Sequence, residues 1–359
     1  MMEKLAPNTF AYDWDNVGLQ IGSYNQDVKR VMVTLDVLES VVDEAIDQDV
    51  ELIISHHPLL FQSMKQIDTD TPKGRMLQKL IQHNITVYSS HTNLDIAYGG
   101  VNDILCEKIG IENTKNLVQT KKEKLYKVVI YVPESHRKDV MNAINNTGAG
   151  HIGNYSHCTF QTKGQGTFKP LEGTSPYIGK QGELEFVDEV KIESIAEEGI
   201  LNKVVKSMVD AHPYEEVAYD IFPMANEGQD YGLGRIGTLQ KKINVKDLCN
   251  HMKEVLKLKS VRVTGDLDKE VKRIAVLGGS GEKYWSRAKQ KGADVYITGD
   301  MTFHAAQEAW QHGLVVIDPG HYSEYVMKSA VKRYLDYELK STDVDVIESV
   351  SNTDPFKTI

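Results

Sequence analysis

Five side chains of the kinds that bind divalent metals stand just after strand-like stretches of this sequence. They are three histidines and two carboxylates: His56, His57, His321, Asp95 and Glu324. Imidazole and carboxylate ligands together suit Zn²⁺, Fe²⁺ or Mn²⁺. Because a carboxylate can bridge two ions, five ligands are enough for a metal pair with positions left open for water. Two ions about 3.5–4 Å apart would generate a hydroxide and stabilise a hydrolytic transition state.

The spacing of these residues limits how they can share ions. Neighbours in an extended strand point to opposite faces, so His56 and His57 do not easily reach one ion. Where the strand ends, each could serve a different ion. His321 and Glu324, three residues apart at a predicted helix start, can face the same side.

Each candidate also has an ordinary structural interpretation. A single histidine at a strand end is more often a surface or capping residue than a ligand. Asp95 could cap a helix near Gly99, and Glu324 could interact with a helix dipole. The coincidence of ligand types at three strand ends favours a metal site.

Further polar residues lie near the same strand ends. His91 and His304 could act as general acid and base beside a metal-bound water, or could orient the metal-binding carboxylates. Asp36 and Asp300 also end strands, and each could hold a ligand in place or cap a helix.

Two other motifs have both a structural and a functional interpretation. Gly278–Gly281 could cradle an anion with its backbone amides, or could simply form a tight turn. It is not a Walker A loop, because no Gly-Lys-Ser/Thr follows it. We expect Trp14–Asn16 to pack beneath the metal cavity, where Asn16 could contact substrate.

Apolar strand-like runs alternate with helical patterns at both ends of the chain. The predicted strands are Arg30–Asp36, Glu51–Ser55, Ile85–Ser89, Lys272–Leu277, Asp294–Thr298, Leu314–Ile317 and Asp343–Ile347. The predicted helices are Leu38–Gln48, Gly74–His83, Val101–Ile109, Glu282–Lys291, Phe303–Gln311 and Glu324–Leu335. This alternation predicts an α/β fold whose parallel or mixed sheets are covered on both faces. Ligands bind such sheets beyond the carboxyl ends of the strands.

The two ends of the chain also resemble each other. Gln82–Val87 aligns with Gln311–Val316, and the same spacing relates Asp95 to Glu324. We therefore expect two similar α/β lobes, residues 1–120 and 236–359, although βα units also resemble one another by pattern alone.

The middle of the chain, residues 121–235, has a different texture. It begins with a charged joint at Lys121–Lys124, and Gly148–Gly182 is rich in glycine, which is typical of hairpins with bulges. The remaining elements are predicted strands at Tyr126–Val132, Glu183–Ile192 and Val217–Phe222, and helices at Ser135–Asn145 and Leu201–Val209. The order β-α-β-β-α-β predicts an inserted ferredoxin-like α+β domain.

Composition excludes several classes of function. The 359 residues carry 41 Lys+Arg and 51 Asp+Glu, and the net charge of −10 argues against binding nucleic acid or an anionic membrane. Three dispersed cysteines form neither a disulfide framework nor a CxxC metal motif. With no signal-peptide-like start and no apolar run of about 18 residues, we expect a cytoplasmic protein without a membrane span.

Several motifs together resemble the Nif-three-like family, whose bacterial members are called GTP cyclohydrolase type-two-like proteins. The motifs are Tyr12–Gly22, Ser55–Leu59, His91–Asp95, Gly278–Gly281, Thr298–Asp300 and Gly320–His321. The resemblance implies a dinuclear site held by the five ligands above, with two divalent ions per chain: zinc first, iron or manganese as alternatives. It also implies a toroidal homohexamer whose sites face an internal cavity.

The middle segment resembles the family's optional insert. Gly164–Pro170 and His212–Tyr219 are the marks of this insert. The segment as a whole resembles PII and CutA-like ferredoxin folds, which often trimerise and would suit the caps of a ring. His212 and Glu215 could bind metal, or could simply belong to a turn that enters a strand.

Two functions of different class follow. The first is a metal-dependent hydrolase acting on a nucleotide-like substrate, with a metal-bound hydroxide as nucleophile. No basic cluster sized for a triphosphate surrounds the ligand motifs, which weakens GTP as that substrate. The alternative is a non-catalytic metal-binding or regulatory protein whose PII-like insert binds an effector or a partner.

Overall fold

The computed structural model of the chain describes residues 1–357 and 359. The strands are β1 (Gly18–Ile21), β2 (Arg30–Thr34), β3 (Leu52–Ser55), β4 (Thr86–Ser89), β5 (Ile111–Pro133), β6 (Thr159–Phe168), β7 (Glu185–Glu197), β8 (Tyr219–Asn244), β9 (Arg262–Val263), β10 (Glu270–Ser280), β11 (Val295–Gly299), β12 (Val315–Asp318) and β13 (Asp345–Glu348). The helices are α1 (Met2–Leu5), α2 (Glu39–Asp47), α3 (Pro72–Gln82), α4 (Thr92–Ile96), α5 (Val101–Ile109), α6 (Arg137–Asn145), α7 (Leu201–Asp210), α8 (Val245–Val255), α9 (Trp285–Gln290), α10 (Phe303–Gln311) and α11 (Met327–Glu338).

The first sheet has the strand order β1-β4-β3-β2-β13. Strands β2, β3 and β4 are mutually parallel, and β1 is antiparallel to β4. Every residue of β4 is buried, as are the last three of β3, because both faces of these short apolar runs are covered. The predicted strands in this part of the chain are confirmed to within two residues.

The last strand, β13, joins this first sheet and not the one formed by the strands that precede it. It pairs in parallel with β2, from Asp345 opposite Arg30 to Glu348 opposite Val33. The predicted division into an N-terminal lobe and a lobe over 236–359 is wrong in this detail. The buried Val346 and the partly buried Ile347 continue the apolar row of β2, and the pairing satisfies the backbone groups along the open side of β2, so that β13 becomes the edge strand.

The second set of parallel strands is β10, β11 and β12, in that order. The short β9 pairs antiparallel with β12, and the Arg235–Asn244 part of β8 pairs antiparallel with β10. The runs β2-α2-β3-α3-β4 and β10-α9-β11-α10-β12 thus have the same element order. A short 3₁₀ helix, His321–Val326, follows β12 as α4 follows β4.

The chain divides into two compact units. One contains Met1–Lys121 together with Tyr231–Ile359, and the other contains Lys122–Asp230. The first unit holds both parallel strand sets and the five residues His56, His57, Asp95, His321 and Glu324, whereas His212 and Glu215 lie in the second unit. Of the described residues, none belongs to a helix long and apolar enough to cross a membrane.

The Lys122–Asp230 unit has the predicted element order β-α-β-β-α-β. Strand β7 pairs antiparallel with both β5 and β6, and α6 and α7 cover a core that includes Val128, Ile130 and Ile192. The glycine-rich stretch contains β6 and the long loop that connects it to β7.

The boundary between the two units lies within the charged stretch Lys121–Lys124, at Lys121 and Lys122, but the secondary structure does not break there. The stretch lies inside β5, whose 23 residues continue from just after α5 to Pro133. Strand β8 likewise runs through 26 residues past the expected boundary at 235. Charged side chains are compatible with a strand because alternate residues can point to solvent.

Candidate metal centre

Three segments that follow strands bring the five predicted ligands together. His56 and His57 follow β3, Asp95 lies in α4 after β4, and the 3₁₀ helix after β12 carries His321 and Glu324. Their ligand atoms form overlapping groups within 4.8 Å, of which one is His56, Asp95 and Glu324 and another is His57, His321 and Glu324. Glu324 belongs to both groups.

The first group is buried and short of hydrogen-bond partners. Nε2 of His56 lies 3.6 Å from Oδ1 of Asp95 and 3.7 Å from Oε1 of Glu324. These distances exceed a hydrogen bond, and both His56 Nε2 and Asp95 Oδ1 are buried without a partner. Leaving such atoms unpaired is unfavourable by about 1–3 kcal/mol each. A cation between them would satisfy both, so the residues fit a metal ion.

The second group gathers around the other oxygen of Glu324. Oε2 of this carboxylate lies 3.1 Å from Nε2 of His57 and 3.3 Å from Nε2 of His321. The two Nε2 atoms are themselves 3.3 Å apart. Two imidazole nitrogens and a carboxylate oxygen converging on one point form a donor set typical of Zn²⁺ and related ions.

The outward nitrogen of each of these histidines donates to an oxygen. Nδ1 of His56 lies 2.8 Å from the Ser90 carbonyl, Nδ1 of His57 2.6 Å from Asp36, and Nδ1 of His321 2.6 Å from Asp300. Carbonyl and carboxylate oxygens only accept, so Nδ1 of each ring carries a proton, and when a ring is neutral the lone pair of its Nε2 faces the cluster. This arrangement orients and strengthens metal-binding histidines.

Without a metal, the cluster holds protons instead. Burial disfavours the charged form of His57, but hydrogen bonds to Asp36 and Glu324 outweigh it and raise the pKa of His57 to about 10. The hydrogen bond to Glu324 raises the pKa of His321 to about 9, against the effect of burial.

The pKa values of the two buried carboxyls, Asp95 and Glu324, are shifted in opposite directions. Burial, reinforced by the charge of Glu324, raises the pKa of Asp95 well above its usual range. Burial would also raise the pKa of Glu324, but His56, His321 and His57 together hold it well below its ordinary value. Glu324, the carboxylate that both groups share, is therefore negatively charged.

His91 lies against the same cluster, as the sequence predicted for it. Its ring centroid is 5.2 Å from that of His56 and 5.6 Å from that of His57, and the three form a further group with metal-binding geometry. Nδ1 of His91 lies 2.9 Å from Oδ1 of Asp15, whose pKa is lowered by this contact and by Thr92 against the effect of burial. The sequence did not predict that Asp15 would hold His91, although Asp15 lies within the Trp14–Asn16 motif.

His304 is not brought to the cluster. It lies in the first turn of α10 with its ring beside that of Phe303, and the metal-capable groups found among residues 1–357 and 359 include His91 but not His304. His304 does follow a strand, β11, as predicted, but its position in α10 does not make it part of a metal-capable group. Among the described residues, the ring contact of His304 is with Phe303, and a catalytic role for His304 stays a prediction.

Gly278–Gly281 cradles a carboxylate of the chain itself. A Cβ atom on Gly279, whose φ is +61°, would lie 2.7 Å from Oε1 of Glu324, and one on Gly278 would lie 3.0 Å from it. The amide of Gly278 donates to Oδ1 of Asn102. The absence of side chains here makes room for Glu324, a purpose that the sequence motif did not reveal.

The Trp14–Asn16 segment does not pack beneath the cavity. Trp14 is 60% exposed. Asn16 is occupied by the carbonyl of Leu60, 2.7 Å away, and by Gln20. His212 also has an ordinary role: its ring bonds to the Tyr131 carbonyl and the Tyr214 amide within the Lys122–Asp230 unit.

The chain is similar to known proteins over nearly its whole length. The family model for Duf34/NIF3 (NGG1p interacting factor 3) matches residues 1–355. Proteins of Halalkalibacterium halodurans and Bacillus subtilis, both named GTP cyclohydrolase 1 type 2 homolog, are each 48% identical over 358 residues, which is 99% of this chain and 96% of theirs.

Solved structures resemble the chain over the same extent. A Bacillus cereus protein related to NIF3 has a TM-score of 0.93 at 47% identity, covering 100% of this chain and 97% of that one. A Staphylococcus aureus protein, SA1388, has a TM-score of 0.78 at 34% identity, covering 100% and 96%.

Proposed function

The chain belongs to the Duf34/NIF3 family, and from that premise we propose that it binds two divalent metal ions and uses them in a hydrolytic reaction. The observation that carries the proposal is the position of Glu324. Oε1 of this carboxylate faces His56 and Oε2 faces His57 and His321. One bridging carboxylate would therefore serve two ions, with Asp95 completing the first group.

Zinc is the ion we propose first, with iron or manganese as alternatives, since imidazole and carboxylate ligands suit all three. Two divalent ions, when bound, supply Lewis acidity and lower the pKa of water. The chain itself supplies the groups around them. Asp36 and Asp300 hold the ligand histidines in the tautomer that presents Nε2 to the cluster.

His91 is the residue we propose for proton transfer. Asp15 keeps the proton on Nδ1 of His91, which leaves Nε2 able to accept a proton beside the cluster. The substrate class we propose is nucleotide-like, because the curated relatives at 48% identity carry the name of a GTP cyclohydrolase homologue.

Elemental analysis of the purified protein tests the metal proposal. We expect about two ions per chain, lost or reduced in both His57→Ala and Glu324→Ala. Asp43→Ala, on the exposed face of α2, is the matched control and should keep both ions. One ion or none in the unaltered protein, unaffected by these substitutions, would overturn the site.

A substrate screen tests the hydrolase proposal on the metal-loaded protein. Turnover of a nucleotide that disappears in His57→Ala and Asp95→Ala supports it. Turnover that persists in both variants, or its absence across nucleotides despite full metal occupancy, counts against a hydrolase.

A cavity in the Lys122–Asp230 unit favours the alternative, a regulatory protein. The cavity has a volume of about 740 Å³ and is lined by Phe168, Tyr177 and Tyr214 together with Lys163 and Glu216. The strand order β6-β7-β5-β8 is that of a ferredoxin-like sheet, and we propose that this unit is the PII/CutA-like insert. A small effector found bound to the purified protein by native mass spectrometry, with no turnover, would favour this function.

We further propose that the chain assembles into a homo-oligomer, specifically a toroidal homohexamer. Light scattering coupled to size exclusion measures this directly. A mass of six chains supports the ring, and a monomer or dimer at micromolar concentration would overturn it.

A further inference from the structure

Three aromatic rings form an open corner beside the metal cluster. The ring centroids of Trp14, Phe61 and His91 are 6.1 Å, 6.2 Å and 6.3 Å apart in pairs. Their planes meet at 75°, 77° and 83°, so each ring stands almost perpendicular to the other two. We call these three residues the aromatic corner.

Two members of the aromatic corner are unusually exposed for large apolar side chains. Trp14 is 60% exposed and Phe61 is 52% exposed. Contiguous exposed aromatic surface next to a cluster of polar ligand side chains is typical of a binding site, because apolar surface is otherwise best withdrawn from water.

The side chains of Asn16 and Gln20 hold the aromatic corner together. Asn16 donates to the Leu60 carbonyl at 2.7 Å, and Gln20 accepts from the Leu60 amide at 3.1 Å. These two bonds attach the segment that carries Phe61 to the segment that carries Trp14. Tyr12 adds support, since its ring lies nearly parallel to that of Trp14 at 5.7 Å.

The third member connects the corner to the cluster. Asp15, between Trp14 and Asn16, binds both the His91 ring and the Thr92 amide. His91 in turn lies 5.2 Å and 5.6 Å, between ring centroids, from His56 and His57. A molecule resting on Trp14 would thus be next to the residues proposed to hold metal.

We propose that the aromatic corner binds a planar heteroaromatic ring of the nucleobase class, stacked on Trp14 and met edge to face by Phe61 and His91. This inference rests on the proposed function and names the part of the substrate that the site recognises. Stacking is the interaction that flat rings make with exposed aromatic side chains, and perpendicular neighbours favour edge-to-face contact. The site recognises the ring and not a phosphate.

Calorimetric titration of the zinc-loaded, full-length protein tests the proposal. The probes are guanosine and adenosine, with ribose 5-phosphate as the non-aromatic control. We expect both nucleosides to bind and ribose 5-phosphate not to bind. Trp14→Leu and Phe61→Leu should weaken nucleoside binding by about 5- to 150-fold, the range for loss of one stacking partner.

Matched measurements separate this proposal from the proposed function. Trp310→Leu removes a tryptophan that is also exposed, at 56%, but lies on α10 outside the aromatic corner, and it should leave nucleoside binding unchanged. Metal content is measured on every variant, and Trp14→Leu should retain two ions. If nucleoside binding depends on Trp14 but no nucleotide is turned over, the stacking proposal is supported and the hydrolase proposal is contradicted.

Three results would overturn the stacking site. The first is absence of nucleoside binding to metal-loaded protein. The second is binding that is equal in Trp14→Leu and in the unaltered protein. The third is a change of oligomeric mass in Trp14→Leu without nucleoside binding to the unaltered protein, which would make the aromatic corner an interface between copies of the chain.

Discussion

At the scale of single residues, the candidate centre depends on how each ligand is held. Glu324 is buried and shared between two groups, and His56, His57 and His321 each direct Nδ1 to an oxygen. The carboxylate's low pKa and the fixed tautomers follow from the same contacts. Changes to these supporting groups should therefore affect metal binding without touching a ligand.

Asp36→Ala removes the acceptor for Nδ1 of His57. We expect metal affinity at the His57–His321 group to fall by about 10- to 100-fold, because an unsupported imidazole can rotate and change tautomer. A chelator competition titration that resolves two sites measures this. Asp43→Ala is again the control, and equal affinities in Asp36→Ala and the unaltered protein would contradict the role of Asp36.

Metal binding should compete with protons. In the metal-free protein the pKa of His57 is raised to about 10 and that of His321 to about 9, so both rings are protonated at pH 7 and must lose a proton to bind an ion. Affinity should rise by about tenfold per pH unit for each proton displaced as pH increases from 6 to 8. Titrations in buffers of different ionisation enthalpy measure the released protons, and a pH-independent affinity would contradict the prediction.

At the scale of elements, the centre is built from the segments that follow three parallel strands. Strands β3, β4 and β12 end where the ligands begin, and the turn after β10 brings Gly278 and Gly279 against Glu324. The path of the chain at the end of β10 therefore limits where the carboxylate of Glu324 can lie.

Gly279→Ala should therefore damage the metal centre. The added Cβ would lie 2.7 Å from Oε1 of Glu324 and would displace that carboxylate. We expect fewer than two ions per chain by elemental analysis, together with a loss of about 1 kcal/mol or more in the free energy of unfolding from the positive φ.

Gly110→Ala separates strain from displacement. Gly110 ends α5 with a φ of +82°, and an added Cβ there meets nothing within 4 Å. It should be destabilising by a similar strain energy but keep both ions. If the two variants retained metal equally, the glycine turn would have no role in placing Glu324.

At the scale of the whole molecule, the folded state does not depend on the metal centre alone. Extensive clusters of buried apolar residues, built around members such as Val33, Ile54 and Ile274 and, separately, Met32, Ile53 and Leu80, surround the strands that carry the ligands. Chain segments as distant as β2 and β13 pair directly.

Removing metal with a chelator should lower the melting temperature but leave the far-ultraviolet circular dichroism spectrum unchanged. Free metal at 100 times the dissociation constant stabilises the folded state by about 2.7 kcal/mol per site, and this contribution is what the chelator takes away. Adding zinc back should restore the melting temperature. Glu324→Ala should respond less to chelator than the unaltered protein, in proportion to the metal it has lost. Unfolding of the metal-free protein at 25 °C would contradict the prediction.

The sequence by itself determined much of the framework. Apolar runs with strand length predicted the strands that precede the ligands, because local pattern reports local burial. The short helix α4, which carries Asp95, and the 3₁₀ helix that carries His321 and Glu324 were not predicted. His56, His57 and Asp95 follow β3 and β4, which are neighbouring parallel strands of one sheet, so their position after strands predicts that they reach the same edge. His321 follows β12 in the other sheet, and its approach to them is a tertiary contact.

The tertiary structure alone decided which atoms meet. The two oxygens of Glu324 face different histidines, Asp15 holds His91, and Gly279 leaves space for a carboxylate 45 residues further on. Each is a contact between residues distant in the chain, which no local pattern encodes. The same reason explains why His304, which also follows a strand, is in none of the metal-capable groups of the described residues, and why β13 joins the sheet of β2.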